Sequence, residues 1–369
     1  MKIQSIEAIP LKANFKQLFQ FGLIDRKSSQ NVILKIVTDE GLVGYGEACP
    51  VPAFTAETQK SVVDNLNERV TPLILGKDPL DSEPLLRQLE RFLPHCPFTL
   101  TAVDLALWDI AGKAANLSVT ALLGGKYRDK ITMHGSVGWG EPESMVETAL
   151  AQLELGYTAL KLYAGRGLLD DDLKRLERVR ASLPAEIQLL VDVNGLWSVT
   201  DCLKALPRLA AIGVIVLEQP LPAWDKDGQA EVVRRSSIDL AADESVYQSY
   251  DVVEVARRQT ARVINLGLSK LGGLLRSREC ATVARVSGLK VMVGSVLVLG
   301  IATAGGLHLA ASLPDLPYPN YLVGPLKYEQ DVVTNPIRVE GGQIAVPGGP
   351  GLGVEIDEAA LRRQDARAK

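Results

Sequence analysis

After Gly124 the chain repeats one unit: a short continuous apolar run, then an amphipathic stretch. ITMHGSV leads into SMVETALAQLELG, ALKLYAG into DDLKRLERVRASL, and IQLLVDV into VTDCLKALPRLAAIG. VIVLEQP, DLAADES, ARVINLGLS and KVMVGSV carry the series on to about residue 312. A strand buried on one face alternates apolar and polar residues, whereas one buried on both faces reads as an unbroken apolar run. These runs are of the second kind, so the units read as parallel strands joined by helical crossovers. Seven such units, with an eighth short strand expected near Pro319–Val323, predict an α/β fold, a (β/α)7-8 TIM-like barrel. An open nucleotide-binding sheet would carry a glycine-rich turn after its first strand, and HGSVGWG does not match GxGxxG.

The segment ahead of the barrel has another rhythm. Residues 2–10 and 31–38 alternate with period two, and Asp39-Glu40-Gly41 turns the chain into LVGYGEA, where Gly44 and Gly46 read as further punctuation. Helical patterns follow from Thr58 to Leu93 and from Phe98 to Asn116. Residues 1–125 are therefore expected to form an α+β capping domain, and residues 126–325 the barrel. Residues 326–369 return to strand-and-turn character and are expected to fold back onto the capping domain. The formal net charge of −4 and the lack of a Lys/Arg stripe argue against a nucleic-acid partner. No apolar stretch approaches a membrane span, and the N-terminus alternates like a strand rather than a signal peptide. Cys49, Cys96, Cys202 and Cys280 are dispersed without metal-type spacing, as expected for free thiols in a cytoplasmic protein. His95, His134 and His308 are too scattered for a zinc site.

Chemistry collects at the ends of the apolar runs. Asp192, Glu218, Asp243 and Lys270 follow one another at intervals of 26, 25 and 27 residues, about one βα unit each. In a barrel these are strand C-termini, so the four side chains share one rim. Three carboxylates there repel one another unless a cation lies among them, and hard oxygen donors suit Mg²⁺, with Mn²⁺ as the alternative. Local ion pairs or helix caps are the competing explanation for any single acid. Lys270, beside such a cation and followed by Gly272-Gly273, reads as a base. Lys161 and Tyr163 end the preceding strand; Lys161 reads as a contact for a substrate carboxylate or as a neutraliser of the acids. Asn194 and Glu244 adjoin the acids and read as groups that orient them or hold the lysines.

This pattern resembles the enolase superfamily, in particular its muconate-lactonising (muconate cycloisomerase) subgroup. The likeness runs from TDEGLVGYGEA and TAVDLALWDIAGKAANLSVTALLGG through LVDVNGLWS, LEQPL, ADES and SKLGGL to PGLGVEID. It implies a metal held by Asp192, Glu218 and Asp243, and Lys270 as acid/base taking the α-proton of a small carboxylate to give a metal-stabilised enediolate. It also implies a homo-oligomer, and two capping loops, Phe15–Lys27 and Val51–Thr58, bringing Phe19, Phe21 and Phe54 over the substrate. One departure matters. The subgroup carries Lys-x-Lys where this chain has Lys161-Leu162-Tyr163. A phenol is a poor base at neutral pH, so proton exchange from both faces is disfavoured relative to one-lysine reactions. Val298 and Tyr321 stand where some members use acids, leaving Ser295 and Tyr321 as polar contacts. The resemblance thus implies a cycloisomerase-like isomerase; a dehydratase or lyase, an amino-acid or dipeptide racemase-epimerase, and a catalytically silent barrel remain open.

Overall fold

The computed structural model describes residues 1–52 and 54–368, without the side chains of Phe21 and Ala368. Strands β1 (Ile3–Phe21), β2 (Ile24–Thr38) and β3 (Val43–Ala48) form an antiparallel sheet. Its first hairpin is far longer than the alternation at 2–10 and 31–38 suggests. Past a shift between Ile3 and Ser5, pairing is regular from Ser5↔Val37 to Asn14↔Ser28, breaks, and resumes at Phe19↔Arg26. That irregularity interrupts the period-two pattern, so the segment expected as a loop over Phe15–Lys27 is the outer half of a hairpin turning at Gly22-Leu23. Gly44 and Gly46 are not turn residues. They lie inside β3, where a Cβ would come within 2.3 Å of Ala106 O and 1.8 Å of Ala102 O. Their bareness lets β3 rest on the backbone of the helix Pro97–Ala115, which is buried along most of its length.

The second layer begins with β4 (Lys130–Thr132) and continues through β5 (Gly135–Val137), β6 (Ala159–Tyr163), β7 (Gln188–Asp192), β8 (Val214–Glu218), β9 (Asp239–Ala242), β10 (Val263–Gly267) and β11 (Lys290–Gly294). Strands β5 to β11 form one parallel sheet in sequence order, as βα crossovers require. The expected eighth stave is a bridge rather than a strand. The Tyr321 N–H donates to Val293 O at 2.9 Å and the Asn320 N–H to Thr132 O at 2.9 Å, while Asn320 O accepts from the His134 N–H at 3.0 Å. Asn320 and Tyr321 thereby join β11 to the chain entering β5 and close the seam.

Side chains alternate in and out along each stave. Ala159, Leu190, Val216, Ala241, Val263 and Met292 form an apolar cluster inside the barrel. Truncating Leu190 to Ala in this floor would cost about 2–5 kcal/mol. Two residues further along the same strands stand Lys161, Asp192, Glu218, Asp243 and Asn265, a polar tier resting on an apolar one.

The C-terminal chain binds both layers. Strand β12 (Gln343–Ala345) pairs antiparallel with β4, Tyr328 bridges Phe15, and Asp365 bridges Leu11. Two buried acids of the N-terminal layer cap barrel helices. Glu47 accepts from the N–H groups of Leu299 and Ala302 at 2.7 and 3.0 Å, and Asp104 from those of Leu274 and Leu275 at 2.5 and 3.3 Å. The helices that follow β10 and β11 are thus fixed from the capping side.

Candidate active site

Register brings the polar tier together. Tyr163 pairs with Asp192, and Asp192 with Glu218, at the tops of β6, β7 and β8. Asp243 follows the last residue of β9. Lys270 is not on a strand: it sits in the one-turn helix Leu268–Leu271 that caps β10. Strands β6 and β10 are four staves apart in the closed rim of eight, so Tyr163 and Lys270 approach from opposite sides.

Both lysines are buried and held by acids. Lys161 Nζ donates to Asp192 Oδ2 at 2.9 Å and to Glu218 Oε2 at 3.1 Å. Lys270, only 1% exposed, lies 2.9 Å from Asp243 Oδ1 and donates to the carbonyls of Asp243 and Val246 at 2.6 and 2.9 Å. Asn194 and Glu244 contact neither lysine, contrary to the alternative that they hold them. Asn194 Nδ2 donates to Glu244 Oε1 at 3.1 Å, and the Asn194 N–H to Asp192 Oδ1 at 3.0 Å.

Carboxyl groups outnumber ammonium groups at the site, and burial holds several of them protonated. Burial raises the Asp192 carboxyl and pushes Glu218 up to about 8, against the pull of Lys161. Burial, then repulsion from Asp243 and Asp192, holds Glu244 well above the carboxylate range. Burial opposes the Lys161 ammonium, but Asp192 and Glu218 more than offset it and keep it well above the usual lysine value. Burial also lifts the Tyr163 phenol well above its ordinary value, so it stays protonated. Four carboxyl groups thus face two ammonium groups.

Among the described residues no three His, Cys, Asp or Glu side chains converge as a ready-made metal cage. The expected gathering of the acids around a cation is therefore met only in part: the positive charges among them are the ammonium groups of Lys161 and Lys270. The donor set still suits a divalent cation. Its atoms are hard oxygens, two negative charges lack a counter-charge if all four acids ionise, and the buried Glu244 Oε2 has no hydrogen-bond partner.

A cavity of about 50 Å³ lies over this tier. Phe19, Phe54, Ser295 and Tyr321 line it with Lys161, Tyr163, Asp192, Asn194, Asp243 and Lys270. The side chain of Phe21 lies outside the described residues. Val298 is buried and does not line the cavity; on that loop Ser295 and Val296 do. The hairpin closes the roof: Arg166 donates to the carbonyls of Gly22 and Ile24 and pairs with Asp25, and Arg26 donates to Val296 O at 3.1 Å.

Residues 6–124 match the N-terminal domain of mandelate racemase/muconate lactonizing enzymes, and residues 144–360 match the enolase C-terminal domain-like family. The chain belongs to the mandelate racemase/muconate lactonizing enzyme family. Within this family it is 31% identical to a chloromuconate cycloisomerase of Cupriavidus pinatubonensis over 94% of both chains. It is 29% identical to an N-succinyl-L-Arg/Lys racemase of Bacillus cereus, over 98% of this chain and 97% of the other. The crystal structure of a 2-chloromuconate cycloisomerase from Rhodococcus opacus superposes with a TM-score of 0.96 at 28% identity, covering 99% of this chain and all of that one. Family members of both chemistries are thus about equally similar to it, and overall likeness does not choose between them.

Two positioning groups in this family member escaped the sequence reading. Asn265 Nδ2 donates to Glu218 Oε1 at 2.8 Å. Gln219, with φ of +32°, accepts at its side-chain oxygen from the N–H groups of Asp243 and Ser245 at 2.9 and 3.2 Å. A polar residue in the middle of VINLG, a run otherwise apolar apart from its glycine, was the available signal for Asn265. Gln219 gave none, because its role depends on the fold of two neighbouring loops.

Proposed function

We propose that the protein is a Mg²⁺-dependent isomerase, with Mn²⁺ as an alternative ion, that moves a proton at the α-carbon of a small carboxylate in the manner of a cycloisomerase. The carrying observation is the asymmetry of the two cavity walls: an amine, Lys270, on one side and a protonated phenol, Tyr163, on the other. Asp192, Glu218 and Asp243 would hold the ion. Bound there, it would supply Lewis-acid stabilisation of the charge that develops on the substrate carboxylate. Lys161, fixed between Asp192 and Glu218, places a permanent positive charge beside that carboxylate. Once its ammonium has given up a proton, Lys270 Nζ takes the α-proton and returns it on the same face. The carbonyls of Asp243 and Val246 fix the direction of its N–H bonds, which orients the amine before substrate arrives. Tyr163 Oη donates a hydrogen bond from the opposite wall and withdraws no proton. Phe19 and Phe54 exclude water.

Three further properties belong to this reading. The free cysteines, three of them buried, support a reducing, cytoplasmic setting. Homo-oligomerisation belongs to the same reading, as the family likeness implies. No described helix is long and apolar enough to cross a membrane. The test is α-hydrogen exchange in heavy water, followed by NMR, across a panel of carboxylic acids with added Mg²⁺. Exchange that depends on metal and disappears in Lys270→Ala supports the isomerase; exchange that survives in that variant rules out Lys270 as the base.

A further inference from the structure

The cavity has a charged end and an uncharged one. Among the described lining residues every charged side chain belongs to the tier of Lys161, Asp192, Asp243 and Lys270, and each already has an ionic partner. The rest of the lining is uncharged: Phe19, Phe54, Val296, Tyr163, Tyr321 and Ser295 form the wall, with the amides of Asn194 and Asn265 at the tier and Met292 beneath it. Two arginines reach the roof, and both are engaged elsewhere. Arg26 donates to Val296 O and Cys49 Sγ with its guanidinium over Phe15, and Arg166 is bound to the hairpin turn. Neither arginine lines the cavity, so outside the tier no charged side chain among the described lining residues faces a second ionic group on the substrate.

The same wall offers neutral hydrogen bonds. The Tyr163 hydroxyl makes none among the described residues, and its burial keeps the proton in place. Ser295 Oγ accepts from the Leu297 N–H at 3.2 Å, which leaves its own proton to donate. Tyr321, stacked on His134 at 4.9 Å, shares its hydroxyl with Ser136 at 3.0 Å and stands as a fixed flat wall.

We infer that the substrate is a monocarboxylic acid whose tail is compact and uncharged and bears one neutral oxygen, such as a carbonyl or hydroxyl, placed to accept from Tyr163 or Ser295. The carboxylate lies at the ionic tier and the tail lies against Val296 and the two phenylalanines. A second carboxylate, or an ammonium or guanidinium group, would lose its water there and gain no counter-charge. This assignment rests on the isomerase reading for the orientation of the substrate, and binding separates the two.

Three N-acetyl amino acids on one scaffold serve as probes: N-acetylmethionine, N-acetylglutamate and Nα-acetyllysine. Titrated into the Mg²⁺-loaded protein by calorimetry, the neutral-tailed acid is expected to bind at least about 100-fold more tightly than either charged one. Val296→Lys is expected to raise affinity for the glutamate derivative about tenfold or more and leave the lysine derivative excluded. Charged tails binding within about tenfold of the neutral one, or none of the three binding, would overturn the tail assignment. Selective binding of the neutral acid without α-hydrogen exchange would leave the tail assignment standing and strike the isomerase instead.

Discussion

Gly22, at the turn of the N-terminal hairpin, donates its backbone N–H to the side-chain oxygen of Asn194 at 2.8 Å. Asn194 in turn bonds Asp192 and Glu244, so one chain of hydrogen bonds runs from the lid to the acids. Gly22 has φ of +47°, and a Cβ there would stand 3.3 Å from Asn194 Cβ. A hydrogen bond of this kind contributes about 0.5–1.5 kcal/mol net. Asn194→Ala should therefore raise KM about 3–10-fold. Arg166→Ala, which removes the contacts to Gly22, Ile24 and Asp25, should raise it further and expose the hairpin to limited proteolysis. Unchanged KM and unchanged cleavage in both variants would mean that the hairpin does not gate the cavity.

Gln219 links three strand ends. Its carbonyl accepts from the Gly195 N–H, its own N–H donates to Ala241 O, and its side chain bonds Asp243, Leu221 and Ser245. Groups that orient metal-binding side chains typically contribute 10–100-fold in affinity. Gln219→Leu should weaken Mn²⁺ binding, measured by calorimetry or electron paramagnetic resonance, by about that factor. Gln219→Glu, which keeps the acceptor for the Asp243 amide, should fall between that variant and wild type. Equal affinity in all three proteins would reduce Gln219 to a structural role.

The barrel and the polar rim were legible because both follow from periodicity. Apolar runs mark staves, and the residue at each run's end is fixed to the rim by the C-terminal rule of parallel barrels. What escaped detection depends on contacts between distant segments. The bulge after Asn14 hid the outer hairpin, and Gly44 and Gly46 resembled turns because a helix lying on β3 cannot be seen in β3 itself. The partners of Lys161 and Lys270 were hidden for the same reason. Spacing placed the lysines at the rim, but only packing decides which carboxylate each one meets.

Tyr163 stands where the resemblance leads one to expect a second lysine. Tyr163→Phe removes a hydrogen-bond donor and should slow turnover by about tenfold. Lys270→Ala removes the proposed base and should cost about 100–10,000-fold. Tyr163→Lys would place an amine on the second wall, and deuterium should then enter from both faces, seen as racemised product by chiral chromatography. If the wild-type protein already racemises its substrate, and Tyr163→Phe stops exchange from one face only, then Tyr163 acts as a base and the one-base reading is wrong.

Glu218 ties metal affinity to pH. Burial raises its carboxyl from an ordinary value of 4.5 to about 8, so without a cation it is largely protonated at neutral pH. A divalent ion binds the carboxylate, and its arrival must displace that proton. The sign follows: affinity should climb as pH rises toward about 8, at roughly tenfold per pH unit if one proton is lost, and level off above it. Calorimetry in two buffers of different ionisation enthalpy would count the proton released near neutral pH. Glu218→Gln should flatten the profile and bind more weakly at high pH, since it removes both the titrating group and an oxygen donor. An affinity that is already flat across neutral pH in the wild-type protein would mean that Lys161 keeps Glu218 ionised throughout, with that ion pair persisting until the metal arrives.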